Sequence, residues 1–451
     1  MYQQSFLGHN NQATKAVQNM TTQSPQDVDE NTSVKRGIAG LRARNLGLFV
    51  FLIAILSSTI TNMDQSLFSY MLPQIMGSFE FSLNETGTII SISFLAAMII
   101  APLAGILADR WSRRGMLGIC IGVSALLVGM QGLAQTQSQF LILRALSFGF
   151  SAGLVPIIAS LVAEYASDKN RVWFLSLLQC GYPLGWFFAS IIVAAFLTMG
   201  WRTIFMIGFI VTPLAFVFAL SLPKNEKKID SANTQDDAQE QPTASILDIF
   251  TGSFRYIALA FCGAFFCYGL ASGAKVFYLP TFFQVSRGYS GETAALITGT
   301  LQVVGIAGFI LSAYVSKKFL SISATASLWA ILGAITYIFC VWIPQSWIQD
   351  LIAFSIMAIF VNGTASISIV FLMDRADPSL RGTIMGLCGS ACVNAGFLVS
   401  PLITTRLVEA IGWHWMYTVF LGSSLVLSGL FFLLAGLKSK TPTSASLETV
   451  T

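Results

Sequence analysis

Four ionisable side chains interrupt segments that are otherwise apolar for the length of a membrane crossing: Asp64, Arg144, Glu164 and Lys275. Each is costly in hydrocarbon unless it faces protein or water, so each marks a candidate site of ion or substrate handling. Asp64 lies in SSTITNMDQSLFSYMLPQIM, residues 57–76. A carboxyl group in a low-dielectric site tends to hold its proton, and beside an arginine it tends to give it up. If Asp64 gains and loses contact with Arg144, it binds and releases one proton per cycle. The alternative is a permanent buried ion pair that only fixes helix packing. Lys275, five residues before Pro280, offers an ammonium to a substrate carboxylate. Arg144 could hold that anion instead, and Lys275 could snorkel to the headgroups; the residues alone leave the assignments open.

Polar side chains within the same segments are candidates to complete a binding site: Gln65, Tyr70, Gln179, Tyr182, Gln302, Asn362 and Asn394. Each could equally serve as an interhelical hydrogen bond. Trp186 and Phe277 could stack on a planar substrate. Other chemistry lacks material. The histidines are His9 and His414, and the seven cysteines fall in apolar segments without metal-ligand spacing, so neither a metal centre nor a Ser-His triad is expected. Paired carboxylates of the kind a membrane-embedded enzyme needs are missing. No enzyme activity, cofactor, metal or nucleic-acid partner is expected. A transporter-like sensor would need a signalling tail, and the tails carry no such motif.

The elements that must position these residues follow from composition. Of 451 residues, 55% are hydrophobic and only 10% charged, with a mean hydropathy of +0.71. A soluble domain carries about a quarter charged residues. Long continuous apolar runs indicate an all-α membrane protein rather than a barrel. Helix-length segments read at 46–76, 86–108, 115–134, 139–164, 171–198 and 202–222, then at 255–283, 292–316, 323–343, 349–372, 382–408 and 412–436. That predicts twelve transmembrane helices in two pseudo-symmetric six-helix halves, 45–222 and 255–436. A polar linker (223–254) joins the halves; a disordered tail without a signal peptide (1–44) and a short tail (437–451) flank them. Of the 25 lysines and arginines, all but Arg144, Arg202, Lys275, Arg287 and Arg406 fall on one side of this topology. The positive-inside rule makes that side, with both termini and the linker, cytoplasmic.

The halves repeat one another. SYMLP, closing at Pro73, matches VFYLP, closing at Pro280. GILADRW from Gly105 matches SAYVSKK from Ser312 at the same offset. GWRTIFMIG from Gly200 echoes GWHWMYTVFLG from Gly412. Repeats of this kind place a substrate site at their interface near the bilayer midplane.

GILADRWSRRG, residues 105–115, resembles the loop signature of the major facilitator superfamily, Gly-x-Leu-Ala-Asp-Arg-x-Gly-Arg-Arg, with Ser112 in place of the loop glycine. MDQSLFSYMLPQI, AEYASDKNR, CGYPLG and GWRTIFMIG are similar to the aromatic acid:proton symporter branch and its sialate and sugar-acid relatives. That branch carries Asp-Gly-x-Asp in the first span; here Thr61 stands at the first acid and Asp64 at the second. The resemblance implies a monomeric inner-membrane symporter taking up a small organic anion, of the aromatic acid, dicarboxylate or sugar-acid type, with protons by alternating access. It also implies that spans 1, 4 and 7 line a central cavity where Asp64, Arg144 and Lys275 meet. Gating residues follow from the same resemblance. They are Gly105, Asp109, Arg110, Arg113, Arg114 and Glu164, with Asp374, Arg375 and Arg381 as the corresponding cluster in the second half. The alternative is a proton-coupled drug efflux antiporter. Such antiporters carry a Gly-Pro pair in a Gly-x-x-x-Gly-Pro-x-x-Gly-Gly run, and span 5 here reads LSLLQCGYPLGWFF, with Tyr182 between Gly181 and Pro183.

Overall fold

In a computed structural model, described for residues 25–166, 173–175, 177–222, 255–343, 346–376 and 381–437, the regular elements are all helical. Ten helices are long and apolar enough to cross a membrane. The longest, Met385–Leu437, doubles back at Gly412 and supplies two crossings, and the segment Trp201–Ser221 supplies the twelfth. The first half comprises α1 (Pro25–Phe79, apolar from Leu46), α2 (Leu83–Arg110), α3 (Arg113–Gln131), α4 (Gln137–Tyr165) and α5 (Gly181–Phe196). Its sixth crossing, α6, is two pieces, Trp201–Phe205 and Gly208–Ser221. The second half comprises α7 (Arg255–Val285), α8 (Gly291–Val304 and Ile306–Lys318), α9 (Ile322–Trp342) and α10 (Trp347–Arg375). It ends with α11, from Arg381 to the break at Gly412, and α12, from there to Leu437.

Local signals set these boundaries. Ser82 and Thr136 open α2 and α4 with capping boxes, in which Glu85 and Gln139 reach back to the cap backbone. Ser112, Ser290, Ser321 and Ser346 accept from the backbone N–H groups that open α3, α8, α9 and α10. The repeat is visible in the backbone. Gly200 and Gly412, the first residues of the two echoing GW motifs, both take a positive φ, +80° and +78°, before α6 and α12. Only glycine enters that region without steric cost.

One expectation needs correction. Residues 25–44 are helical, continuous with α1, where a disordered tail is expected. Pro25 opens the helix, where its fixed φ and missing N–H are tolerated. In the fifth crossing residues 173–175 and 177–178 are helical and, after a turn at Gln179 and Cys180, the helix runs on from Gly181; residues 171, 172 and 176 lie outside the described residues.

Apolar packing divides the molecule by depth. At the end carrying the α2–α3 turn, here called the basic end, each half has its own core. One is built on Val50, Leu117, Leu154 and Leu161, the other on Phe261, Phe371 and Phe432. At the opposite end a single cluster crosses between the halves, joining Phe68, Trp186 and Trp201 to Val276, Phe277, Tyr278 and Ala295. Hydroxyls tie the halves together there. Ser69 Oγ lies 3.0 and 2.9 Å from the Val276 and Phe277 carbonyls, and Ser91 donates to Leu398 O at 2.6 Å. Asn84 Nδ2 donates to Glu409 Oε2. α5 and α8 approach so closely that a Cβ at Gly299 would overlap Ser190 Oγ.

Candidate functional site

The halves part toward the basic end around a cavity of about 870 Å³. It runs from Gln65, Phe94 and Phe277 at mid-depth to Gly105 and Asp109 beside the α2–α3 turn. Its polar wall comes from α1 (Ser58, Thr61, Asn62, Gln65), α4 (Ser151), α5 (Tyr182) and α11 (Ser390, Asn394). Its aromatic wall is Phe94, Phe148, Phe277 and Phe397; Phe94 and Phe397 stack with ring centroids 5.3 Å apart. Among the lining residues the one charged side chain is Asp109, at the mouth.

The charges at depth lie one layer behind the wall. Asp64 Oδ1 accepts from Arg144 Nη1 at 2.8 Å, with the two residues only 6% and 2% exposed. Arg144 stacks its guanidinium over Phe68 at 4.4 Å and faces the cavity-lining ring of Phe148 at 5.7 Å. Asp64 Oδ2 is buried without a hydrogen-bond donor, and the Ser147 hydroxyl is spent on Arg144 O. Ser151, on the wall, donates to Thr61 O, closing α4 onto α1 beside the pair. The arrangement can hold an ion pair away from water and, on protonation of Asp64, free the guanidinium. Phe148 then stands between that guanidinium and an occupant of the cavity.

Lys275 does not join them. Its ammonium turns into the second half and donates to Asn362 Oδ1 at 3.2 Å, while its neighbours Val276 and Phe277 face the cavity. At 4% exposure it does not snorkel either. The expected meeting of Asp64, Arg144 and Lys275 is therefore reduced to the first two, because the helical turn at Lys275 points it away from α1. Tyr70 is a packing residue, donating to Trp186 O at 3.0 Å, and Trp186 is fully buried against it. Gln302 is buried and, like Asn362, off the cavity wall. Gln179 is exposed in the turn before α5. Gln65, Tyr182, Asn394 and Phe277 do line the cavity. Phe94, Phe148 and Phe397 were not singled out by sequence; as aromatics in apolar helices they carry no distinguishing signal.

At the basic end Arg113 bridges Asp109 (3.0 Å) and Glu164 (2.9 Å), tying the α2–α3 turn to the end of α4. Arg114 donates to Leu220 O at 2.9 Å, anchoring α3 to α6. Gly105 packs against Pro156, and Arg110 is exposed at its helix end. In the second half Asp374 meets only its neighbour Arg375, at 3.4 Å; the Arg381 side chain, with Asp168, Lys169 and Arg171 of the AEYASDKNR stretch, lies outside the described residues. A further cluster escaped the sequence reading. Asp350, fully buried at the start of α10, accepts from Tyr289 Oη at 2.6 Å and lies 3.5 Å from Arg287. Arg287 also donates to the Cys340 and Val341 carbonyls that end α9. Burial and the Asp350 hydrogen bond push the Tyr289 phenol well above its ordinary range. These residues sit in loops and helix ends, where no apolar background makes a charge conspicuous.

The model of the Major Facilitator Superfamily matches residues 54–391. The chain belongs to the major facilitator superfamily. It is thus a transporter and not an enzyme. Among curated members it is 24% identical to the benzoate transport protein of Acinetobacter baylyi over 405 residues, 80% of this chain and 83% of that one. It is 25% identical to the hexuronate transporter of Bacillus subtilis over 399 residues, 84% of this chain and 91% of that one. The fold of the superfamily is shared with a bacterial homologue of the human lysosomal transporter Spinster. That match has a TM-score of 0.67 at 17% identity and covers 88% of this chain and 97% of the other.

Proposed function

We propose that this superfamily member takes up a small organic anion together with protons by alternating access, its basic end facing the cytoplasm of a bacterial inner membrane. The observation that carries the reading is the Asp64–Arg144 pair, buried one side chain behind a cavity that otherwise offers neutral polar and aromatic groups. Protonation of Asp64 cancels its hold on Arg144, and the guanidinium then attracts a carboxylate into the cavity. When the anion leaves, Arg144 recovers Asp64 and expels the proton. Proton and anion thus travel together because one guanidinium serves both. Phe94, Phe148, Phe277 and Phe397 suit the apolar or planar body of the acid. The benzoate and hexuronate relatives support an aromatic acid or a sugar acid as cargo. Closure by Ser69, Ser91 and Gly299 at one end, with the cavity open at the other, is one half of an alternating-access cycle.

The test is substrate-induced current in proteoliposomes across benzoate, gentisate, muconate, glucuronate and sialate, comparing the parent with Asp64→Asn. A current for one acid that vanishes in Asp64→Asn, with binding retained, is the expected result. Silence toward every acid, with proton movement triggered by lipophilic cations, would replace this reading with drug efflux.

A further inference from the structure

Three of the seven cysteines converge at the basic end of the second half. Cys262 on α7 and Cys388 on α11 touch, their sulfurs 3.4 Å apart. Cys392, four residues further along α11, also faces Cys262. Among the described residues no such group could hold a metal ion, which leaves the chemistry of a thiol pair. Cys388 is fully buried, in the core with Phe261, Phe371 and Phe432, and Cys262 is half-buried. Buried cysteines ordinarily serve as small apolar filling; two observations set this pair apart. The first is the backbone. Residues Met385–Cys392 are π-helical, a winding that is rare and appears frequently at functional sites. The second is position. The same segment turns Gly386, Ser390 and Ala391 into the cavity wall and Cys388 toward α7. α2 and α11 meet at mid-depth, where Phe94 stacks on Phe397. Toward the basic end the cavity separates them, with Met98, Pro102 and Gly105 on one arm and Gly386 and Ser390 on the other. Each arm carries a break in regular winding, Pro102 in α2 and the π segment in α11. Closing the basic end brings the arms together. The thiol pair sits on the face of α11 turned from the cavity, so a covalent bond there ties this arm back onto α7.

Resting on the alternating-access reading, we infer that Cys262 and Cys388 are a peroxide-sensitive dithiol whose disulfide holds the cavity open at the basic end. The half-buried Cys262 sulfur attacks hydrogen peroxide and breaks its O–O bond, becoming a sulfenic acid and releasing one water. The Cys388 sulfur then displaces the sulfenic oxygen as a second water and closes the S–S bond. The two thiol protons leave in the two waters, and the two sulfurs give two electrons to the peroxide oxygens. A thiol reductant such as glutathione reverses the step by exchange through a mixed disulfide. On the cytoplasmic side proposed for the basic end the pair is thus kept reduced, and it closes when peroxide rises.

The experiment treats the full chain in dodecyl maltoside with hydrogen peroxide and then blocks residual thiols with N-ethylmaleimide. It compares the parent with Cys262→Ala, Cys262→Ser and Cys392→Ala, the exchange pattern before oxidation serving as the measure of intact protein. Peptide mapping without reductant reads the S–S bond. Backbone hydrogen exchange at 69–78 and 290–300 reads opening of the opposite end and needs no cargo. In the parent and in Cys392→Ala the expected result is a peptide pair linked through Cys262 and Cys388, with exchange at those segments slowed about tenfold and restored by dithiothreitol. Both Cys262 variants should be unaffected by peroxide. Absence of the linked peptide overturns the dithiol, and a disulfide that forms without slowing the exchange overturns the lock. Slowing that persists in the Cys262 variants, or that dithiothreitol does not reverse, assigns the effect to other oxidation and overturns the inference. Loss of the slowing in Cys392→Ala overturns the choice of pair. If both segments exchange no faster than the cores of the two halves in the reduced parent, the alternating-access reading is refuted instead, while the linked peptide still decides the dithiol.

Discussion

Replacing Asp64 by Asn removes one charge and almost no volume, so it isolates the electrostatics of the buried pair. At 2.8 Å and an effective dielectric of about 20, the attraction between Arg144 and Asp64 is about 6 kcal/mol. Much of that offsets the cost of taking both ions out of water, and exposures of 6% and 2% leave little solvent to screen what remains. The asymmetry is the useful part. Losing one partner strands the other's charge, which costs about 3–5 kcal/mol, whereas losing both is close to neutral. Asp64→Asn and Arg144→Met should therefore each destabilise the protein by that amount, and the double variant should return close to the parent, a coupling of about 6–10 kcal/mol. Reversible unfolding in dodecyl maltoside micelles of rising dodecyl sulfate fraction measures all three free energies. If the double variant is as unstable as the sum of the singles, the pair does not interact as described. The proton-release argument built on it then falls as well.

Gly299→Val should prevent α8 from closing on Ser190 of α5, leaving the carrier open at the end opposite the basic end. The expected result is loss of transport with increased labelling of a cysteine placed at Gln74 by a membrane-impermeant maleimide. Arg287→Met should strand the fully buried Asp350 and uncap the end of α9, destabilising the protein by about 3–5 kcal/mol in the same unfolding assay. Phe277→Ala removes a ring that is at once cavity wall and buried seam between the halves, and should weaken benzoate binding by about tenfold or more and cost about 3–5 kcal/mol of stability; isothermal titration reads the first effect and the unfolding assay the second. Arg113→Ala should free the α2–α3 turn from α4, seen as faster backbone hydrogen exchange at 109–115.

The number and halving of the helices were legible because hydrophobic length and charge asymmetry are properties of the sequence itself. The paired motifs at Gly200 and Gly412 were legible for a stricter reason, since both positions demand a backbone that only glycine adopts freely. Asp64 and Arg144 stood out because a charge in an apolar helix has few excuses. Which way a side chain points around its helix was harder to read. Lys275 differs from Val276 and Phe277 by a rotation of about 100° or 200°, and that rotation alone decides whether it faces the cavity or Asn362. Tyr70 and Gln302 failed as cavity residues on the same ground. The helical run from Pro25 was missed because its polarity, with Gly37 and Gly40 within it, reads as tail.

The hydroxyl-to-carbonyl bonds at Ser69 and Ser91 have a bearing on the medium in which the protein works. A seam between halves held by exposed ion pairs would tighten in dilute solution and slacken in brine, because salt screens such pairs within about a Debye length. Dissolved salt does not reach bonds between a buried serine and a peptide oxygen. Each contributes about 1 kcal/mol, enough together to favour closure and little enough to be given up on every turnover. On the symport reading proposed above, the balance between the two faces is then set by cargo and protons, and salt bears on it only through the exposed Asn84–Glu409 contact.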